Sequence, residues 1–149
     1  MSQEKINIFY TDDDKDDIAI FKDAVAEAGK EINLTTNFDG GSLMDLLNNP
    51  PPSPSMVFLD WNMPGKNGEE ILTEIRATKS LREIPILIFS TSSNADNIEV
   101  ARRKGANMYI TKPNSFHDIV QIIRYCLSVD WKNFSDPDKF IYRPQKFHD

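Results

Sequence analysis

The chain has 149 residues, of which 40% are hydrophobic and 27% charged, and this is the length and composition of one globular domain. Its 17 basic residues are outnumbered by 23 acidic ones, and the net charge of -6 makes binding to a nucleic-acid backbone unfavourable. No apolar stretch approaches the roughly 20 residues that span a bilayer, and the single cysteine, Cys126, suits a reducing compartment, so we expect a cytoplasmic protein without a membrane segment.

The first half of the chain alternates short apolar runs with helical patterns. Ile6 to Tyr10 favours a buried strand, and apolar residues spaced three and four apart then predict a helix that Gly29 ends in a left-handed cap. Ile32 to Phe38 indicates a weaker second strand, which is followed by a short helix capped by Ser42. The proline-rich residues 50–54 predict a stiff surface connection.

The second half repeats this alternation with stronger signals. Apolar runs at Met56 to Leu59, Ile86 to Phe89 and Met108 to Thr111 predict three more strands. A helical pattern follows each of them; Gly105 ends the second of these helices, and Ser115 caps the last. Continuous apolar strands separated by helices predict an α/β fold, a five-stranded parallel sheet with helices on both faces.

Polar residues follow four of the predicted strands, at the edge where open parallel sheets bind their ligands. Asp12 to Asp14 follow the first strand, Asp60 the third, Ser90 the fourth and Lys112 the fifth. Clustered carboxylates repel one another unless a cation lies among them, and their hard oxygens favour Mg²⁺ or Ca²⁺ over zinc. Asp60 is the candidate nucleophile for a phosphoryl group, whose charge Lys112 and Ser90 would offset. Because the sequence has no glycine-rich nucleotide loop, the phosphoryl group is expected from another molecule.

Five sequence elements in register resemble the receiver domain of two-component response regulators. They are the acidic pair after the first strand, the string Asp-Trp-Asn-Met-Pro-Gly-Lys-Asn-Gly from Asp60, the hydroxyl after the fourth strand, Tyr109, and Lys112-Pro113. The resemblance is to the single-domain form, typified by chemotaxis-type and phytochrome-associated regulators. It implies a flavodoxin-like receiver domain over residues 1–129 and an aromatic-rich C-terminal extension, residues 130–149, without an output domain.

The resemblance also implies a role for each residue at the strand ends. Asp60 is expected to be the phosphoacceptor, with Lys112 and Ser90 contacting the phosphoryl group. Phosphorylation is expected to draw Ser90 inward and to rotate Tyr109 from an exposed to a buried position. The Lys112–Pro113 peptide bond is expected to be cis. The expected Mg²⁺ ligands are Asp13, Asp60, the backbone carbonyl of Asn62 and, through a water, Asp12.

These roles describe a signalling switch that acts catalytically only on its own phosphorylation and dephosphorylation, so its status as an enzyme stays open. The expected donor is a phosphohistidine on a sensor histidine kinase or a phosphotransfer protein. Output is expected through contacts with an unknown protein target, and the aromatic extension favours a homodimer. We expect Trp131 and Phe134 to pack on the domain or on a partner subunit, and the rest of the extension to be extended.

Two other functions stay open at this point. Aspartate-nucleophile phosphatases of the haloacid-dehalogenase type also place Asp-x-Asp after a first strand, as in Asp12 to Asp14, but they need a threonine where this chain has Asp16. A receiver can also serve as a docking module that is never phosphorylated. Labelling of Asp60 by a phosphoryl donor would support the receiver, and labelling of Asp12 the phosphatase.

Overall fold

A computed structural model describes residues 5–144, and it has five parallel strands in the order β2-β1-β3-β4-β5. The strands are β1 (Ile6–Thr11), β2 (Ile32–Asn37), β3 (Met56–Leu59), β4 (Ile86–Ser90) and β5 (Met108–Thr111). The helices are α1 (Lys15–Ala28), α2 (Gly40–Leu47), α3 (Gly68–Ala77), α4 (Ala95–Lys104) and α5 (Phe116–Ser128). The predicted α/β fold, a flavodoxin-like parallel sheet with helices on both faces, is confirmed. Within residues 5–144, every helix is too short or too polar to cross a bilayer.

Each face of the sheet carries its own apolar core, because successive strand residues point to opposite sides. One set of alternate strand residues, which includes Ile8 and Ile110, packs against α1 and α5. The other set, which includes Phe9 and Tyr109, packs against α2, α3 and α4. Burial of one such large side chain contributes about 1.5–3 kcal/mol, so the two cores together hold the strands in register.

The ends of the helices confirm two of the predicted caps and correct two others. Ser115 accepts a hydrogen bond from the first turn of α5, and Gly105 ends α4 in the left-handed region with φ of 100°. Gly29, however, has an extended backbone with φ of -179°, so the predicted left-handed cap of α1 is wrong. Asp39, and not Ser42, caps α2, because its carboxylate accepts the Ser42 N–H at 2.7 Å.

The residues after α5 fold back onto the domain as a C-terminal segment, defined here as residues 130–142. Trp131 and Phe134 pack against the core on the α1 and α5 side, as predicted for contact with the domain. Two short 3-10 turns follow α5, and Phe140 is buried in the opposite core. The expectation that this part runs extended from the domain is therefore wrong for residues 137–142; residues 145–149 lie outside the described part of the chain.

The C-terminal segment turns back because β5 is an edge strand with unpaired backbone groups. Tyr109 of β5 donates its N–H to the carbonyl of Phe140 at 2.8 Å and accepts the N–H of Tyr142 at 2.9 Å. Ile141 lies between them as a parallel bridge partner of Tyr109. The segment thus covers the exposed edge of β5 with two backbone hydrogen bonds.

Candidate functional site at the ends of β1 and β3

Three carboxylates meet where β1 and β3 end. Thr11 and Leu59, the last residues of the two strands, are partners in register, so the residues that follow them leave the sheet side by side. One oxygen each of Asp12, Asp13 and Asp60 lies within 4.8 Å of the others. Asp12 and Asp60 are buried, whereas Asp13 is exposed, so the cluster has an open side. The structure brings together the three side chains that the sequence placed at this edge; their roles stay predictions.

The electrostatics of the cluster are unfavourable for the charge on Asp60. Burial and the neighbouring Asp12 charge raise the pKa of Asp60 to about 7, although the Lys112 ammonium and the N–H groups of Trp61 and Asn62 act in the opposite direction. A bound cation would remove this penalty, and three carboxylate oxygens are a donor set that suits Mg²⁺. The residues present therefore fit a divalent cation.

Asp12 is held by three hydrogen bonds. Its Oδ1 accepts the backbone N–H of Asp14 at 2.9 Å, and its Oδ2 accepts the Tyr10 hydroxyl at 2.5 Å and the Lys112 ammonium at 2.6 Å. The same ammonium donates to Oδ2 of Asp17 in α1 at 2.8 Å. Lys112, the predicted phosphoryl contact, is thus buried between two carboxylates, with 10% of its side chain exposed.

Sequence reasoning did not assign Tyr10 or Asp17 to this site. Tyr10 lies in an apolar strand and resembles a core aromatic, and its hydroxyl reaches Asp12, two residues further along, where β1 ends. Asp17 looks from the sequence like one of several acids that complement the N-terminal dipole of α1. The signal that could have found Asp17 is its place in the first turn of α1, next to the strand end from which Lys112 leaves.

The peptide bond after Lys112 differs from the expectation. In residues 5–144 the cis bonds are Pro50–Pro51 and Pro51–Pro52, so the cis prediction for Lys112–Pro113 is wrong. The N–H of Lys112 continues the ladder between β4 and β5 by donating to the Ser90 carbonyl at 2.7 Å. From this position, the side chain reaches Asp12 with a trans bond after it.

Ser90 and Tyr109, the two predicted switch residues, are both buried. The Ser90 hydroxyl accepts the Ser92 N–H at 3.2 Å, and the Tyr109 hydroxyl donates to the Ser92 carbonyl at 2.7 Å. The expected exposed position of Tyr109 is therefore wrong for this structure. Two features keep its ring inside: the loop after β4 offers a hydrogen-bond acceptor, and the C-terminal segment covers β5.

The loop after Asp60 is fixed by the start of α3. Asn67 caps this helix, and its side chain and that of Glu70 bond each other's backbone N–H. A Cβ on Gly68 would lie 2.7 Å from the Asp60 carbonyl oxygen, so only glycine lets the helix start this close to the site. Asn62 is exposed in this loop, and the metal-binding role of its carbonyl stays a prediction.

Comparisons with known proteins agree on one family. The family model described as "Response regulator receiver domain" matches residues 8–124. The response regulator Rcp1 of Synechocystis sp. is 33% identical over 73 residues, which are 49% of this chain and 50% of that protein. The chain thus spans about half the length of the curated relatives it matches.

Two solved structures match most of the chain. The phosphorylated cyanobacterial phytochrome response regulator RcpA is 30% identical with a TM-score of 0.76, and the match covers 89% of this chain and 97% of that one. The Mn²⁺-bound form of Rcp1 is 26% identical with a TM-score of 0.74, and the match covers 89% and 99% of the two chains. Both structures align with most of the domain that carries the acidic cluster.

Proposed function

Because the chain belongs to the response regulator receiver domain family, we propose that it is a phosphorylation switch in which Asp60 accepts a phosphoryl group from a phosphohistidine. The proposed donor is a sensor histidine kinase or a phosphotransfer protein. The observation that carries the proposal is the meeting of Asp60 with Asp12 and Asp13, at the strand ends where Lys112 adds a buried ammonium. A carboxylate nucleophile, a cation site and a fixed positive charge are what phosphoryl transfer to an aspartate requires.

Receiver domains bind Mg²⁺ or Mn²⁺ at their acidic pocket, and we propose Mg²⁺ for this chain. Asp12, Asp13 and Asp60 would hold it, together with the backbone carbonyl of Asn62. When bound, the ion supplies positive charge that offsets the phosphoryl oxygens.

The transfer itself is a displacement at phosphorus. An Asp60 carboxylate oxygen forms the new bond while the bond between phosphorus and the donor histidine nitrogen breaks and leaves its electron pair on that nitrogen. Lys112 and Ser90 are the proposed donors to the phosphoryl oxygens. Later attack by water at phosphorus breaks the bond to the Asp60 oxygen, which releases inorganic phosphate and leaves Asp60 as a free carboxylate.

The loop between β4 and α4 is the proposed conformational switch. In the present state Ser90 and Tyr109 both hydrogen-bond Ser92, one through the N–H and the other through the carbonyl. If the Ser90 hydroxyl turns to a phosphoryl oxygen, it releases the Ser92 N–H and loosens the acceptor of Tyr109. The new charge on Asp60 would therefore rearrange this loop and the adjoining β5.

The docking of a phosphohistidine partner is proposed at a groove beside Lys112. This groove has a volume of about 310 Å³, and Ile20 and Phe116 on its wall are 42% and 45% exposed. Exposed apolar side chains next to a reactive site suit a transient protein contact. A cytoplasmic location, a protein target for output and a homodimer remain parts of the proposal, whereas nucleic acid is not a proposed partner because of the net charge of -6.

The phosphatase alternative would make Asp12 the nucleophile. Both oxygens of Asp12 already accept hydrogen bonds, from Asp14, Tyr10 and Lys112, so this carboxylate is held as a hydrogen-bond acceptor. The Lys112 ammonium lowers the energetic cost of a charge on Asp60, and a bound cation would lower this cost further. These contacts favour Asp60 over Asp12 as phosphoacceptor.

Intact-mass measurement with acetyl phosphate and Mg²⁺ tests the proposal. We expect the wild type to gain the mass of one phosphoryl group, and to lose this gain with a chelator or in Asp60→Asn. Asp45→Asn is the matched control, since Asp45 is an exposed residue of α2 and should keep the adduct. An adduct that persists in Asp60→Asn and disappears in Asp12→Asn would favour the phosphatase; no adduct from acetyl phosphate or phosphohistidine donors would favour the docking module.

A further inference from the structure

The ammonium of Lys112 is anchored from α1 as well as from β1. Its Nζ lies 2.8 Å from Oδ2 of Asp17 and 2.6 Å from Oδ2 of Asp12. Within residues 5–144, these two carboxylates are its only hydrogen-bond partners, and neither of them is Asp60. Lys112 is therefore tied to α1 as well as to the residue that follows β1.

We propose that Asp17 is a positioning residue that competes with the phosphoryl group for Lys112, and thereby limits how readily Asp60 is phosphorylated. This inference rests on the proposed function, in which Lys112 contacts the phosphoryl oxygens. It adds a residue outside the acidic cluster that sets the balance between the free and phosphorylated forms.

The two anchors of Lys112 differ in what else holds them. Asp12 has only 1% of its side chain exposed, so water cannot take the place of Lys112 beside it. The Asp17 carboxylate has Lys112 as its only partner among the described residues, and about a third of its side chain is exposed to water. The bond to Asp17 is therefore the one that breaks when the ammonium moves toward Asp60.

The charge of Asp17 acts in the same direction as its hydrogen bond. A phosphoryl group adds about 1.5 to 2 negative charges, which a nearby carboxylate repels. By holding Lys112, Asp17 withholds from the phosphoryl oxygens the cation that would offset their charge.

Asp16 provides a matched control on the same helix turn. It also lies in the first turn of α1, where a negative charge complements the helix dipole, but it is exposed and its side chain makes no hydrogen bond within the described residues. Asp16→Asn and Asp17→Asn therefore change the net charge and the helix start equally, and they differ in the contact with Lys112.

The test is the acetyl phosphate concentration that half-phosphorylates the protein at fixed Mg²⁺, measured by intact mass. Asp17→Asn should lower this concentration about threefold to tenfold, the range of one ordinary net hydrogen bond, because the asparagine oxygen remains as a neutral acceptor. Asp16→Asn should change it less than about twofold, and Asp17→Glu, which keeps the carboxylate, should lie closer to the wild type than Asp17→Asn does. In the unphosphorylated protein, nitrogen-15 NMR should show faster water exchange of the Lys112 ammonium protons in Asp17→Asn only.

Three other results would contradict either the competition by Asp17 or the proposed function. If the wild type is phosphorylated but Asp17→Asn and Asp16→Asn need the same acetyl phosphate concentration, this inference alone is overturned. A higher concentration for Asp17→Asn would show that Asp17 holds Lys112 in its productive position, which also overturns competition. A wild type that gains no phosphoryl group would overturn the proposed function, and this inference with it. Circular dichroism of all three variants checks that they are folded.

Discussion

The acidic cluster of Asp12, Asp13 and Asp60 and the C-terminal segment of residues 130–142 belong to the same sheet but have opposite energetics. The cluster holds like charges in a partly buried place, and burial together with the Asp12 charge raises the pKa of Asp60. The segment buries Phe140 and adds two backbone hydrogen bonds to β5. The residues proposed for chemistry therefore weaken the metal-free fold, whereas residues with no part in the chemistry stabilise it.

The largest expected effect comes from the C-terminal segment. Phe140→Ala should lower the free energy of unfolding by about 3 kcal/mol, because it leaves a cavity in the core on the α2, α3 and α4 side. It also removes the ring that lies 4.5 Å below the Arg102 guanidinium. Urea unfolding measures the change, and Phe38→Ala, at a residue 49% exposed, is the control and should stay within about 1 kcal/mol. Equal losses in both variants would show that the segment does not stabilise the domain.

The next effect has the opposite sign. Asp60→Asn should raise the free energy of unfolding of the metal-free protein at neutral pH by about 2 kcal/mol, because it removes a buried carboxylate next to Asp12. Chemical unfolding in the presence of a chelator measures the change. Asp45→Asn, an exposed substitution of the same kind, should have little effect. A loss of stability in Asp60→Asn would contradict the view that the cluster strains the fold.

The pH dependence of stability that Asp60 causes is a smaller effect for each pH unit. The folded pKa of Asp60 is about 7 and its ordinary value is 3.8, so between these values the folded state binds more protons than the unfolded state. The contribution of Asp60 to the free energy of unfolding therefore falls as the pH rises through this window, by at most about 1.4 kcal/mol per unit. The difference between wild type and Asp60→Asn isolates this contribution in metal-free buffer. A difference that does not change between pH 4 and pH 7 would contradict the raised pKa.

The smallest expected effect concerns the hydrogen bond between Tyr10 and Asp12. Burial and the Asp12 charge raise the pKa of Tyr10 above its ordinary range, so its hydroxyl stays a donor. Tyr10→Phe should lower the free energy of unfolding by about 1 kcal/mol, since Asp12 keeps its other two partners. Tyr125→Phe is the control, because the Tyr125 hydroxyl makes no hydrogen bond within the described residues. A loss of the same size in both variants would show that the bond to Asp12 adds nothing.

The sheet and most of the site could be predicted from the sequence because they depend on rules of short range. Apolar runs fix the strands, and parallel strands end at one edge, so Asp12, Asp60, Ser90 and Lys112 were expected at the same end of the sheet. These inferences needed only the order of the elements.

The contacts of single side chains and the path of the C-terminal segment could not be predicted, because they depend on the packed structure. Asp17 joins the site through a contact with Lys112, 95 positions away, and Tyr10 through the direction of its hydroxyl at the end of β1; the sequence pattern specifies neither. The return of Phe140 to β5 pairs residues about 30 positions apart across α5, and no local signal marks such a pairing. The buried position of Tyr109 follows from that same pairing.

The central claim is that Asp60 is the residue that carries the phosphoryl group. After reaction with acetyl phosphate and Mg²⁺, borohydride reduction converts an aspartyl-phosphate to homoserine, and peptide mass spectrometry then locates the reduced residue. We expect homoserine at position 60 alone. Homoserine at position 12 or 13, or a phosphorylated protein that yields none, would contradict it.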